Sequence, residues 1–123
     1  MADIGDRESI RTTILDCDAE EPAERKTLWD YRAPTGKDAE RAERAATRRR
    51  PGGNEMSGYG YALELCVRQL VAVRNLRRSG VVVEYPPGDG ESEPRRELLR
   101  ALNPFWITEL ARKIQAESQV SEA

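Results

Sequence analysis

The apolar residues of this chain concentrate between Tyr61 and Leu76, so any fold it adopts has to be built around that stretch. Ser57 is a good helix N-cap and Gly80 stands just beyond Arg78, so residues 57–78 read as one long helix. At roughly 100° per residue, Leu63, Cys66, Val67, Leu70 and Val73 share one side. Ala62, Leu65, Ala72 and Leu76 carry that side further round, and Glu64, Arg68 and Asn75 leave only a narrow polar stripe. A helix this widely apolar is surrounded by other elements or by another molecule. It is read as the hub of the fold or a self-association surface, with Leu65 and Leu76 as candidate interface residues.

The chain supplies little to surround that helix. Of its 123 residues, 38% are hydrophobic and 34% charged, against roughly 45–50% and about 25% in globular proteins. That is one domain with a thin core, so some of the chain is expected to be poorly packed or completed by a partner.

Ile10 to Leu15 and Val81 to Tyr85 are the strand candidates, and each is the other's expected mate. From Ala23 the chain reads as a short helix, ended by Ala33-Pro34-Thr35-Gly36, that brings Leu28, Trp29 and Tyr31 to an apolar surface. Ser92-Glu93-Pro94 opens a helix through Leu102. Asn103-Pro104 then offers a cap followed by proline at the first helical position, with Ile107, Leu110, Ala111 and Ile114 on one face. Residues 1–22 read as an acidic, partly flexible segment. Residues 23–123 read as a single small helical domain with a charged linker or helix at 34–56. The expected fold is mainly α, with at most a minor two-stranded β element at about 10–15 and 81–85.

Histidine is absent, which removes the usual general acid–base residue near neutral pH and the commonest transition-metal ligand. No catalytic residue, metal ligand or cofactor site is assigned. Asp16, Asp18, Glu20 and Glu21 have no fixed ligand spacing and read as a solvated acidic loop. The glycines around Tyr59 lack the lysine and preceding strand of a phosphate-binding loop, and read as a hinge or cap. Cys17 and Cys66 stand in unlike surroundings and read as two free thiols of a reducing compartment.

The segment 37–50 holds six basic and three acidic residues and no large apolar side chain. As a helix it aligns Arg41, Arg44 and Arg48, with Arg49 and Arg50 beside the last. Guanidinium groups so arranged can fork onto phosphates and stack on bases. The plain alternative is a solvated helix laced with Glu–Arg pairs. A second basic patch, Arg74, Arg77 and Arg78, is expected at the end of the central helix, where cations complement the helix dipole. The two patches together are the candidate nucleic-acid-binding residues. Phe105 and Trp106 are candidate interface anchors, because aromatic side chains bury much area at low entropic cost.

The expected function is that of a small non-enzymatic interaction protein, an adaptor, inhibitor or oligomeric accessory subunit of the kind common in viruses and phages. It would act through an apolar helical surface on a protein partner or on itself. The alternative is an RNA- or DNA-binding accessory protein using the arginine segment 41–50 with Arg74, Arg77 and Arg78. No stretch approaches the roughly 20 apolar residues of a membrane-spanning helix, so no membrane partner is expected. The expected location is the cytoplasm, or the nucleus in a eukaryotic or viral setting.

Overall fold

The computed structural model describes residues 10–50, 53–56, 58–87 and 92–122, with side chains throughout except at 48–50, 53–56 and 117–122. In chain order it contains β1 (Ile10–Thr13), short 3-10 turns at Asp16–Asp18 and Ala23–Arg25, β2 (Leu28–Arg32), α1 (Gly36–Ala46), β3 (Thr47–Arg50), β4 (Gly53–Met56), α2 (Gly58–Gln69), β5 (Leu70–Arg74), β6 (Arg77–Arg78), β7 (Val81–Val82), α3 (Glu93–Arg100) and α4 (Pro104–Glu122). The expected mainly helical fold with a minor β element is overturned: the domain is mixed α/β. Its sheet is three-stranded and antiparallel in the order β1-β2-β5, and two ribbons, β3–β4 and β6–β7, stand beside it.

The central strand β2 replaces the helix expected from Ala23. Apolar Trp29 and Tyr31 enter the core, while Asp30 between them is also buried and only Arg32 is exposed; the polarity of the side chains, rather than their burial, alternates with the period of two of a strand. It pairs with β1 through Thr12↔Asp30 and Thr13↔Trp29. It pairs with β5 through Leu28↔Arg74 and Trp29↔Val73, with an irregularity at Asp30/Tyr31. The outer face of the sheet is polar. There Asp30 accepts from Thr12 Oγ1 at 2.6 Å and from Arg74 at 2.9 Å.

The single helix expected at 57–78 is two elements. It stops at Gln69, whose side-chain amide donates to the Arg32 carbonyl at 2.8 Å. The chain then runs straight into β5. Leu70-Val71-Ala72-Val73 is apolar all round, so its periodicity fits either a buried helix or a buried strand. The backbone edge of β2 decides in favour of the strand. The partnership expected between 10–15 and 81–85 also fails. Val81–Val82 pairs instead with Arg77–Arg78, across a two-residue turn in which Ser79 and Gly80 both have positive φ, 51° and 82°. That is the twist a tight hairpin needs, and closing two residues costs far less chain entropy than reaching β1.

Helix α2 is the hub. It packs against α4, α1 and α3, and Ala62, Leu63, Leu65, Cys66 and Val67 are all buried. The charged stretch forms a helix that is mostly exposed and touches α2 along one side. Ala42 is 0% exposed, because a small side chain lets the two helices approach without any large apolar residue. Thr35 starts α1 with a capping box, accepting from the Asp38 N–H while the Asp38 carboxylate accepts from the Thr35 N–H. Within the N-terminal segment, residues 10–15 pack onto the rest of the chain. Leu15 is buried, and Lys113 on α4 donates to the Ile14 carbonyl at 2.9 Å.

A half-buried ion cluster ties α2 to α3. Glu64 accepts from Arg68 at 2.9 Å and from Arg96 at 2.8 Å and 2.9 Å, and Arg96 also bonds Glu93. Burial pushes the Glu64 carboxyl up, but the hydrogen bonds from Arg96 and Arg68 and their charges outweigh it, so the group ionises below its ordinary value.

Candidate functional site

Strand β5 closes one side of the sheet, and among the described residues no strand pairs with its outer edge. After the β6–β7 turn the chain runs back alongside that edge as an extended strap, residues 83–87. The strap is held at both ends, to β5 itself at one and to Leu76, just beyond β5, at the other. At one end the Val83 N–H donates to the Leu76 carbonyl at 2.6 Å, the one backbone bond between strap and strand segment among the described residues. At the other end Arg95, in the first turn of α3, joins the two walls. Its Nε donates to the Pro86 carbonyl at 2.8 Å and its terminal nitrogens to the Leu70 and Val71 carbonyls at 3.2 Å and 3.5 Å.

Between these ties lies a slot of about 540 Å³, open to solvent on one side. Val71, Ala72 and Val73 line the strand wall, and Val83, Tyr85 and Pro86 the strap wall. Pro86 and Pro87 have no N–H to donate, so that part of the strap has no donors for pairing with the strand. Asn75 pins the far end. Its φ of 64° is a left-handed conformation that asparagine tolerates better than most residues, and its amide donates to the Glu24 and Lys26 carbonyls.

Arg95 is 7% exposed and lies over the Tyr85 ring, 4.7 Å from the centroid. The Tyr85 hydroxyl is pushed up to about 12, chiefly by burial, with Arg95 pulling it down and Cys66 pushing it up. It has no hydrogen-bond partner among the described residues.

The arginines expected to gather on a helix are dispersed. Arg41 and Arg44 are exposed on α1, where Arg44 pairs with Glu40 at 3.1 Å. Arg48, Arg49 and Arg50 are on β3, opposite Glu55, Asn54 and Gly53, and their side chains lie outside the described residues. The helical alignment of Arg41, Arg44 and Arg48 therefore does not exist, because α1 ends at Ala46. Arg74 is on β5 and bonds Asp30 and Thr12. Arg77 and Arg78 are exposed on β6, where Arg77 reaches Asn75 and the Glu24 carbonyl. None of these three caps a helix. Among the described residues the main packing of the β3–β4 ribbon is on itself and α1, and that of the β6–β7 ribbon is on itself.

The four interface candidates divide. Leu65 on α2 and Leu76 beyond β5 are 0% and 4% exposed, inside the core. Trp106 is half-buried against the core, and Phe105 is 80% exposed. Neither thiol is activated. Burial pushes Cys66 up to about 12, and slight burial and the charges of Asp18, Glu109 and Asp16 raise Cys17. Both are free. Among the described residues no group of three or more histidine, cysteine or acidic side chains could hold a metal ion, and no helix is long and apolar enough to cross a membrane.

Sequence reasoning missed the slot. The adjacent prolines after a strand-like run carried part of the signal, since they mark backbone that cannot pair. Nothing local distinguishes Arg95 from its neighbour Arg96. No family model, no curated protein and no solved structure is similar to this chain.

Proposed function

We propose that this chain is a non-enzymatic interaction protein that holds an extended segment of a partner polypeptide along the outer edge of β5. One observation carries the reading: a solvent-open slot lies between an edge strand and an extended strap that Arg95 bridges to the strand at one end and that the Val83–Leu76 bond holds beyond the strand at the other. A strand edge presents a row of donors and acceptors that water satisfies until another strand arrives. The slot extends from Val71 to Asn75, room for about five extended residues or roughly 17 Å of chain. Apolar walls at Val71, Val73 and Tyr85 add burial to the backbone bonds.

The test is a titration of 15N-labelled protein with capped hexapeptides of alternating threonine and valine, followed by amide shifts. Shifts confined to Val71–Val73 and residues 82–85 support the reading. Shifts elsewhere, or none at millimolar peptide, defeat it.

A second reading rests on the β3–β4 ribbon, which sets three consecutive arginines on a two-stranded element of the kind that fits a nucleic-acid groove. Fluorescence polarisation with a labelled duplex at rising salt tests it. Binding that weakens with salt and disappears when Arg48, Arg49 and Arg50 are all changed to alanine supports this second reading. Affinity indifferent to the triple change removes it.

A further inference from the structure

The geometry points to a C-terminal carboxylate as the group this slot recognises, received by Arg95, with the partner's last residues lying antiparallel to β5. The inference rests on the strand-edge reading above and adds the chemistry and direction of the occupant.

Arg95 is the most deeply buried arginine of the described residues, and among them no carboxylate pairs with it. The chain treats its other well-placed arginines differently. Arg68 and Arg96, with side chains 11% and 13% exposed, both hold Glu64, and Arg74 holds Asp30. Among the described residues Arg95 has the carbonyls of Pro86, Leu70 and Val71 and the face of Tyr85. These are dipoles and a quadrupole, which offset the desolvation of a cation without neutralising it. A guanidinium has five N–H groups. Three are committed to these carbonyls, which leaves two for an anion. Guanidinium is also the group best matched to the two oxygens of a carboxylate.

The position of Arg95 selects a chain end over a side chain. By bonding Pro86 on one wall and Leu70 and Val71 on the other, it bars the slot at the start of β5. A segment lying in the slot stops there, and the end that carries a carboxylate is the C-terminus. A chain whose C-terminus is at the Leu70 end runs opposite to β5. It leaves by the open side near Asn75 and Val82. The one acidic side chain lining the slot, Glu84, is exposed on the strap wall. It disfavours an occupant with several acids and leaves a single terminal carboxylate at the Arg95 end as the better fit.

The experiment compares three acetylated pentapeptides, Thr-Val-Thr-Val-Val with a free C-terminus, the same peptide as its amide, and an amide with glutamate as the last residue. Each is titrated into the folded, unmodified protein, and the Arg95 Nε–H resonance is read together with the amides of Val71–Val73. The expected result is that the free acid binds at least about tenfold tighter than the plain amide and alone shifts Arg95 Nε–H. Equal binding of acid and amide, with slot amides shifting in both, overturns the carboxylate inference and leaves the strand-edge reading standing. Equal binding of the glutamate amide and the free acid overturns the assignment to a chain end. Silence of the slot amides with all three peptides overturns the strand-edge reading and this inference with it.

Discussion

Arg95 and Tyr85 are coupled face to edge of a single ring. The guanidinium lies 4.7 Å from the ring centroid, while the hydroxyl at the far end of that ring is buried with no hydrogen-bond partner among the described residues. The face of the ring contributes to stability, and its hydroxyl detracts from it. The two contributions can be separated by substitution.

Replacing Tyr85 with phenylalanine keeps the ring under Arg95 and removes the orphaned hydroxyl. The Tyr85→Phe protein is expected to be more stable by about 1 kcal/mol, the lower end of the cost of a buried unmet polar group. Urea denaturation measures the change. Spectrophotometric titration should lose the tyrosine that ionises at about 12. A clear loss of stability would show that the hydroxyl is bonded in solution.

Arg95→Ala leaves the Pro86, Leu70 and Val71 carbonyls without their side-chain donor. The expected cost is about 3 kcal/mol, from unmet buried acceptors and lost packing on Tyr85. The strap should loosen before the core does. Hydrogen exchange at the Val83 N–H is therefore expected to quicken more than exchange within α2. Equal quickening at both sites would mean that Arg95 supports the whole fold.

Glu64 gives the domain an acid limit. Its folded carboxyl ionises below the ordinary 4.5, so its contribution is complete above that value and is lost as pH falls through the lower folded value. Stability measured by denaturation from pH 6 down to pH 3 is expected to fall less steeply for Glu64→Gln than for the native chain. Near neutral pH the variant should be weaker by about 2 kcal/mol, because Arg68 and Arg96 lose their shared anion. Parallel curves for the two proteins would place the acid sensitivity elsewhere.

Leu65 and Phe105 separate packing from exposure. Leu65→Ala empties part of a core position that is 0% exposed and should cost about 3 kcal/mol. Phe105→Ser changes a side chain that is 80% exposed, and its thermal midpoint should be unchanged within about 2 °C. A large loss at Phe105 would reveal a contact made in solution, such as one with a second copy.

The elements that carry their own start signals were legible in the sequence. Asn103-Pro104 opens α4 as expected, with Asn103 Oδ1 accepting from the Phe105 N–H at 3.0 Å, and the face of Ile107, Leu110, Ala111 and Ile114 is buried. Ser92 precedes α3, although α3 ends at Arg100 rather than Leu102. Two signals were present and misread. Trp29 and Tyr31 alternate with Asp30 and Arg32, a strand period inside a stretch read as helix, and Thr35 with Asp38 is a capping box that anchors α1. The end of α2 was not legible locally. Leu70 to Val73 is equally apolar for helix and strand, and only the edge of β2, some forty residues earlier, resolves it. The slot depends on the same long-range pairing, since without β5 as a strand there is no edge for Arg95 and the strap to frame.

The two prolines of the strap bear on stoichiometry. An unguarded sheet edge is a template without an end, because each strand that adds presents a fresh edge to the next. A segment lying in this slot has the strap on its far side, and two of the strap's positions, Pro86 and Pro87, have no hydrogen to give it. The guest's far edge would be covered rather than presented to the next strand, which suits the sheet to a single guest rather than to a growing fibre.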